Sequence, residues 1–153
     1  MTKLNLEDIM NQMELISDEG NSFLNKATGR LVHVNNAEMR HARDGGDDES
    51  MPDWQKENVQ IARAVLGNDN FIQLPTEDQI HESDLVEAFC LSLADDHIRS
   101  EVINSFKQEP GVSRPFRDLL FTLRLGEDWY MFKREAYRRV AVEWCERNHF
   151  EYI

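Results

Sequence analysis

The side chains with the most capacity for recognition lie in the last third of the chain. Arg114 and Arg117 stand three apart, and Lys133, Arg134, Arg138 and Arg139 crowd a later segment with Trp129, Tyr130 and Tyr137 interleaved. Guanidinium forks match carboxylate and phosphate geometry, and exposed rings offer stacking surfaces. Arg114, Arg117, Tyr130, Lys133, Arg134 and Arg138 are therefore the candidate binding residues. Against this stands ordinary helix electrostatics. Glu135, Arg139, Glu143 and Arg147 step by four, the spacing of surface ion pairs, and Trp129 and Trp144 fall on the apolar stripe. Arg134 and Arg138 are a like-charged i, i+4 pair, which costs a few tenths of a kcal/mol until an anion or acidic partner answers it.

Other constellations carry less chemistry. His33, His41, Asp44, Asp47 and Asp48 are metal-ligand types, but their spacing matches neither a His-Glu-x-x-His helix nor a calcium loop. No metal site and no cofactor are expected. Cys90 lies on a buried stripe and Cys145 beside Trp144, where thiols act as small inert hydrophobes. His81 with Glu82 and Asp84, or His97 after Asp95-Asp96, has the composition of a general base beside carboxylates. Both clusters also read as helix starts, where acidic residues cap. No nucleophile elbow, phosphate-cradling loop or dinucleotide fingerprint occurs, and Gly45-Gly46 sits among carboxylates that repel phosphate. The sequence assigns no catalytic residue.

Composition bounds the alternatives. The chain has 153 residues with 41% hydrophobic content, the scale of one domain with a real core. Residues 1–100 hold 20 acidic and 8 basic residues, and residues 101–153 hold nine of each, so the net charge of -12 belongs to the first two-thirds. A molecule of that sign repels nucleic acid and anionic lipid, except where a local basic face answers. No apolar run has membrane-span length, and the N-terminal stretch turns acidic at Glu7-Asp8 where a secretory signal would stay apolar. Two cysteines suit a reducing compartment. The expected setting is cytoplasmic.

The elements that must position these residues follow from periodicity. Leu6, Ile9, Met10, Met13 and Ile16 predict a first helix with Asn5 as its cap, ended by Gly20. Residues 21–25 and 30–34 read as a hairpin closed at Gly29, and 70–74 as a third strand stopped by Pro75. Between them, 40–50 reads as a flexible acidic loop. It leads to a helix capped by Ser50, with Trp54, Ile61, Ala62 and Val65 inward and Gly67 as its stop. Beyond Pro75 the chain predicts helices around Leu85–Leu93, Ile98–Phe106 with an Asp95 cap, Phe116–Leu123 stopping near Gly126, and a long one from Trp129 to Trp144. The fold class is α+β: a small antiparallel sheet, hairpin plus one further strand, packed with about five helices in a single domain over 1–153.

The run Ser113-Arg114-Pro115-Phe116-Arg117-Asp118, then Trp129-Tyr130, Phe132-Lys133, Glu135 and Glu143-Trp144, resembles a group of small bacterial proteins catalogued as an uncharacterised (UPF) protein family. The Leu24–Gly29 turn and the strand ending Leu74-Pro75 are similar to it as well. Ser113 stands where the family pattern has an aromatic, and Pro115 where it has a second arginine. The resemblance implies no activity, because that family has none assigned. The resulting expectation is a non-catalytic macromolecular binding or regulatory protein with a protein partner and no membrane partner. A nucleic-acid-binding protein using the basic C-terminal face is one alternative, disfavoured by net charge. An enzyme with a histidine general base is another, and it requires a concave pocket lined by His81 or His97.

Overall fold

The structure, a computed structural model, describes residues 3–15, 20–76, 82–108 and 114–153. Ile16, His81 and Ser113 fall outside them. Among the described residues seven helices and three strands run in the order α1 (Leu6–Leu15), β1 (Gly20–Asn25), β2 (Leu31–Asn35), α2 (Asn36–Asp44), α3 (Asp53–Gly67), β3 (Phe71–Gln73), α4 (Glu82–Leu91), α5 (Asp96–Gln108), α6 (Arg114–Thr122) and α7 (Gly126–Arg147). The fold is α+β. Packing divides the chain into two compact units, 1–77 with 140–153, and 78–139.

The first unit is built on the sheet, ordered β2-β1-β3 with both pairings antiparallel. The expected hairpin is present, and Gly29 takes the φ of +76° that its turn requires. Gly20 opens β1 instead of merely closing α1. A Cβ there would stand 2.7 Å from Val34 O and 2.9 Å from Asn35 Cα, so only glycine allows this close approach of the backbones. Asn5 caps α1 as expected, its side-chain oxygen accepting from Asp8 N–H at 3.2 Å. Leu6, Ile9, Met10 and Met13 bury the stripe. Trp144 donates its indole N–H to Gln73 O at 3.2 Å and packs its ring on Phe150, centroids 5.4 Å apart. Residues 4 and 152 form a parallel bridge, with Leu4 N–H donating to Glu151 O at 2.8 Å.

Three details of this unit differ from expectation. Residues 40–44, expected in the acidic loop, are the second half of α2. That helix starts in a capping box: Asn35 accepts from Glu38 N–H at 2.7 Å, and Glu38 Oε1 accepts back from Asn35 N–H at 3.4 Å. Trp54 is 63% exposed, and α3 buries Val59 and Ala62 instead. Pro52, not Ser50, occupies the α3 cap position, without a side-chain bond.

The second unit is a helical cluster. Val86, Phe89, Cys90, Val102, Phe116, Leu120 and Trp129 form its core. Phe89 meets Trp129 and Phe132 edge-on, at centroid separations of 5.3 and 5.4 Å, geometry that adds to their area burial. Asp95 caps α5 as expected, accepting from His97 N–H at 2.9 Å and Ile98 N–H at 3.1 Å. Arg99 reaches back to the end of α4, donating Nε–H to Cys90 O at 3.1 Å, where a cation meets unsatisfied carbonyls. Helix α6 ends before Gly126. Leu125 N–H donates to Leu120 O at 2.7 Å and Arg124 N–H to Phe121 O at 3.0 Å, with Arg124 at φ +60°. This is a Schellman termination with arginine in the position that glycine usually fills. Gly126 begins α7.

Helix α7 runs unbroken from Gly126 to Arg147. Trp129 is buried in the first half; Ala141, Trp144 and Cys145 are buried in the second. Trp129 and Trp144, expected on one apolar stripe, are both buried, and at 100° per residue they lie about 60° apart around the helix.

Candidate functional site

All six candidate binding residues lie in the 78–139 unit, on two helices. On α6, Phe116 and Leu120 point into the core, which leaves Arg114, Arg117 and Phe121 exposed on a flank of the helix. At 100° per residue these three fall within about 60° of one another, one stripe. Phe116 is fully buried and Phe121 is 82% exposed, although the two differ by only five positions. Arg114 has only a loose ion pair, Nε to Asp118 Oδ2 at 3.9 Å with both side chains exposed. Arg117 has no ion pair among the described residues. Arg124 follows at the left-handed turn and is also exposed.

On α7, burial of Trp129 leaves Tyr130, Arg134 and Arg138 at i, i+4, i+8 on one flank, with Met131 beside them. Tyr130 is 52% exposed and Arg138 is exposed, while Arg134 is half-buried. The Lys133 ammonium lies 5.5 Å from the Tyr137 ring centroid, within cation–π range. The ion-pair ladder expected on this helix does not form: neither Glu135–Arg139 nor Glu143–Arg147 pairs among the described residues. The structure thus presents two basic–aromatic stripes, Arg114–Arg117–Phe121 on α6 and Tyr130–Arg134–Arg138 on α7. Phe121, Arg124 and Met131 escaped the sequence reading. The signal for Phe121 was available, since it lies off the Phe116–Leu120 stripe.

The histidines have other engagements. His97 is 83% exposed on α5, 3.4 Å from Glu101, and lines neither of the two cavities described below. His33 Nδ1 lies 3.0 Å from Ser22 Oγ, which donates to Gln12 Oε1 at 3.1 Å. A serine hydroxyl has one proton. With that proton given to Gln12, the Ser22 oxygen accepts from the protonated Nδ1 tautomer of His33. Ser22 is also fully buried, beyond the reach of a substrate.

His41 and Asp48 meet within α2 and the segment after it. His41 Nε2 is 2.7 Å from Asp48 Oδ1, and Arg63 of α3 grips both Asp48 oxygens at 2.7 and 2.9 Å. Hydrogen bonds from Arg63, then from His41, hold the Asp48 carboxyl down to about 2. The left-handed Gly45 ends α2 and turns the chain toward this clasp. Among the described residues no three His, Cys, Asp or Glu side chains gather as metal ligands. Cys90 and Cys145 are buried free thiols. Burial raises both, Cys145 to about 11 with the nearby Glu146 charge adding to it.

The described residues enclose cavities at two places. One of about 270 Å³ lies at the β1–β2 turn against Leu4, Leu24 and Phe150. The other, about 320 Å³, lies between α4 and α5 against Val86, Ile103 and Phe106, with Glu87 and Lys107 at its edge. No described helix is long and apolar enough to cross a membrane. No family model, curated protein or solved structure matches the chain.

Proposed function

We propose that this is a non-catalytic protein-binding module that engages a partner through the outward stripes of α6 and α7. The observation that carries the reading is Phe121, 82% exposed between Arg117 and Arg124. A phenylalanine in water forgoes about 1.5–3 kcal/mol of burial, which a partner pocket recovers. Arg124 supports it: a non-glycine residue at positive φ costs about 1–2 kcal/mol, and this strained, exposed arginine follows directly on the helix that carries Phe121. The partner surface that fits is an apolar pocket rimmed by carboxylates. Exposed Met131 and Leu91 favour protein over nucleic acid, because neither stacks on bases and methionine is enriched at protein interfaces. The net charge of -12 points the same way. Free buried thiols suit the reducing cytoplasm. The Arg114–Asp118 and Trp129–Trp144 motifs extend the proposal to membership of the uncharacterised bacterial family that they resemble, which carries no activity across.

A photo-crosslinking benzophenone at position 121 tests the reading, with position 122, exposed on another side of α6, as control. In extract of the source organism, position 121 should give one discrete protein adduct that survives ribonuclease and disappears in Arg117→Glu. Equal adducts at both positions, adducts to nucleic acid, or none would refute it.

A further inference from the structure

The cavity at the β1–β2 turn joins buried apolar side chains to the polar turn above them. Its floor is apolar: Leu4, Leu24 and Phe150, each more than nine-tenths buried. Its rim is the turn itself, Lys26 to Gly29. That rim is held still. Lys26 N–H donates to Asn70 O at 2.8 Å, Ala27 N–H to Asn25 Oδ1 at 2.9 Å, and Gly29 N–H to Asn25 O at 2.8 Å.

The rim side chains offer donors. The Lys26 ammonium has no ion pair among the described residues. Thr28 Oγ1 accepts from Arg30 N–H at 3.2 Å, which leaves its own hydroxyl proton to give. Among the described residues no carboxylate lines the cavity, although the chain carries 29 acidic residues against 17 basic. The α4–α5 cavity, by contrast, has Glu87 at its edge. Donors over an apolar floor select a ligand with an anionic head and an apolar body. At about 270 Å³ the space falls just under the roughly 300–1,000 Å³ of drug-sized pockets, so the ligand is smaller than those.

We propose that this cavity binds a small organic carboxylate, its apolar body against Leu24 and Phe150 and its head at the Lys26 ammonium and the Thr28 hydroxyl. None of these residues belongs to the α6 and α7 stripes, so the proposal stands or falls separately from the partner reading.

The test is an NMR titration of the full chain with hexanoate and, separately, with hexanamide, its uncharged counterpart. Hexanoate should move the signals of Leu4, Leu24 and Ala27–Gly29 saturably. Hexanamide should bind about tenfold more weakly, Lys26→Gln should weaken hexanoate by a similar factor, and Lys26→Arg should restore it. Shifts that never saturate, shifts centred elsewhere, or equal affinity for the two compounds would overturn the proposal. Should Lys26→Gln lose its folded spectrum, the comparison of the two compounds on the unaltered chain decides.

Discussion

Asp48 is the most strongly held carboxylate described, and it fastens the end of α2 to α3 through His41 and Arg63. Its folded carboxyl titrates at about 2, against the ordinary 3.8. A depressed carboxyl contributes stability that is complete above its unfolded value and is lost as pH falls through the folded one. Stability should therefore decline between about pH 4 and pH 2 through this group, and Asp48→Asn should flatten that part of the profile. Urea midpoints measured across the range check it; identical slopes in the two proteins would contradict the assignment. His41 and Asp48 were legible in the sequence as polar groups near each other, and metal binding was the chemistry their types suggested. Arg63 was not legible as their partner, because it lies 15 positions from Asp48 and only the packing of α2 on α3 brings it there. Ser22 and His33 carry the same lesson. Cross-strand register sets them side by side, and burial then removes Ser22 from the reach of a substrate.

At the scale of elements, α6 separates folding from recognition. Phe116 and Phe121 are the same residue type on opposite sides of one helix. Phe116→Ala should cost about 3–5 kcal/mol by chemical denaturation, the range for emptying a core aromatic site. Phe121→Ala should change stability by under about 0.5 kcal/mol while abolishing the crosslink-defined partner contact. A large loss from Phe121→Ala would place that ring in a core and remove the basis of the binding stripe. Arg124→Gly belongs to the same helix end. It should raise stability by about 1 kcal/mol, because glycine accepts the left-handed backbone without the Cβ clash, and it should weaken partner binding. The helices with apolar periodicity were readable, α1 and α6 among them. Helix α2 was not, since its capping box encloses a polar stretch and its buried residue is Glu38. The Asn35-x-x-Glu38 signature was there, but without an apolar stripe it gave no reason to prefer helix over loop.

At the scale of the whole molecule, charge is the property that composition states without ambiguity. A net of -12 predicts that single-stranded RNA or DNA keeps its electrophoretic mobility in the presence of this protein at roughly 100 mM salt. A salt-sensitive shift removed by Arg117→Glu would instead assign the α6 stripe to nucleic acid. The α+β class, the hairpin with its Gly29 turn and the third strand followed from the sequence alone, because turn chemistry and two-residue alternation act over a few neighbouring positions. Tertiary structure decided the rest. Spacing along α7 nominated Trp129 and Trp144 as core and both are buried, but spacing did not say that Trp129 would join Phe89 and Phe116 while Trp144 packs on Phe150. Which arginines pair, which phenylalanine stays in water, and which turn overhangs an apolar floor all depend on contacts between residues far apart in the chain. Those contacts are set by packing, and packing is not encoded at any fixed sequence interval.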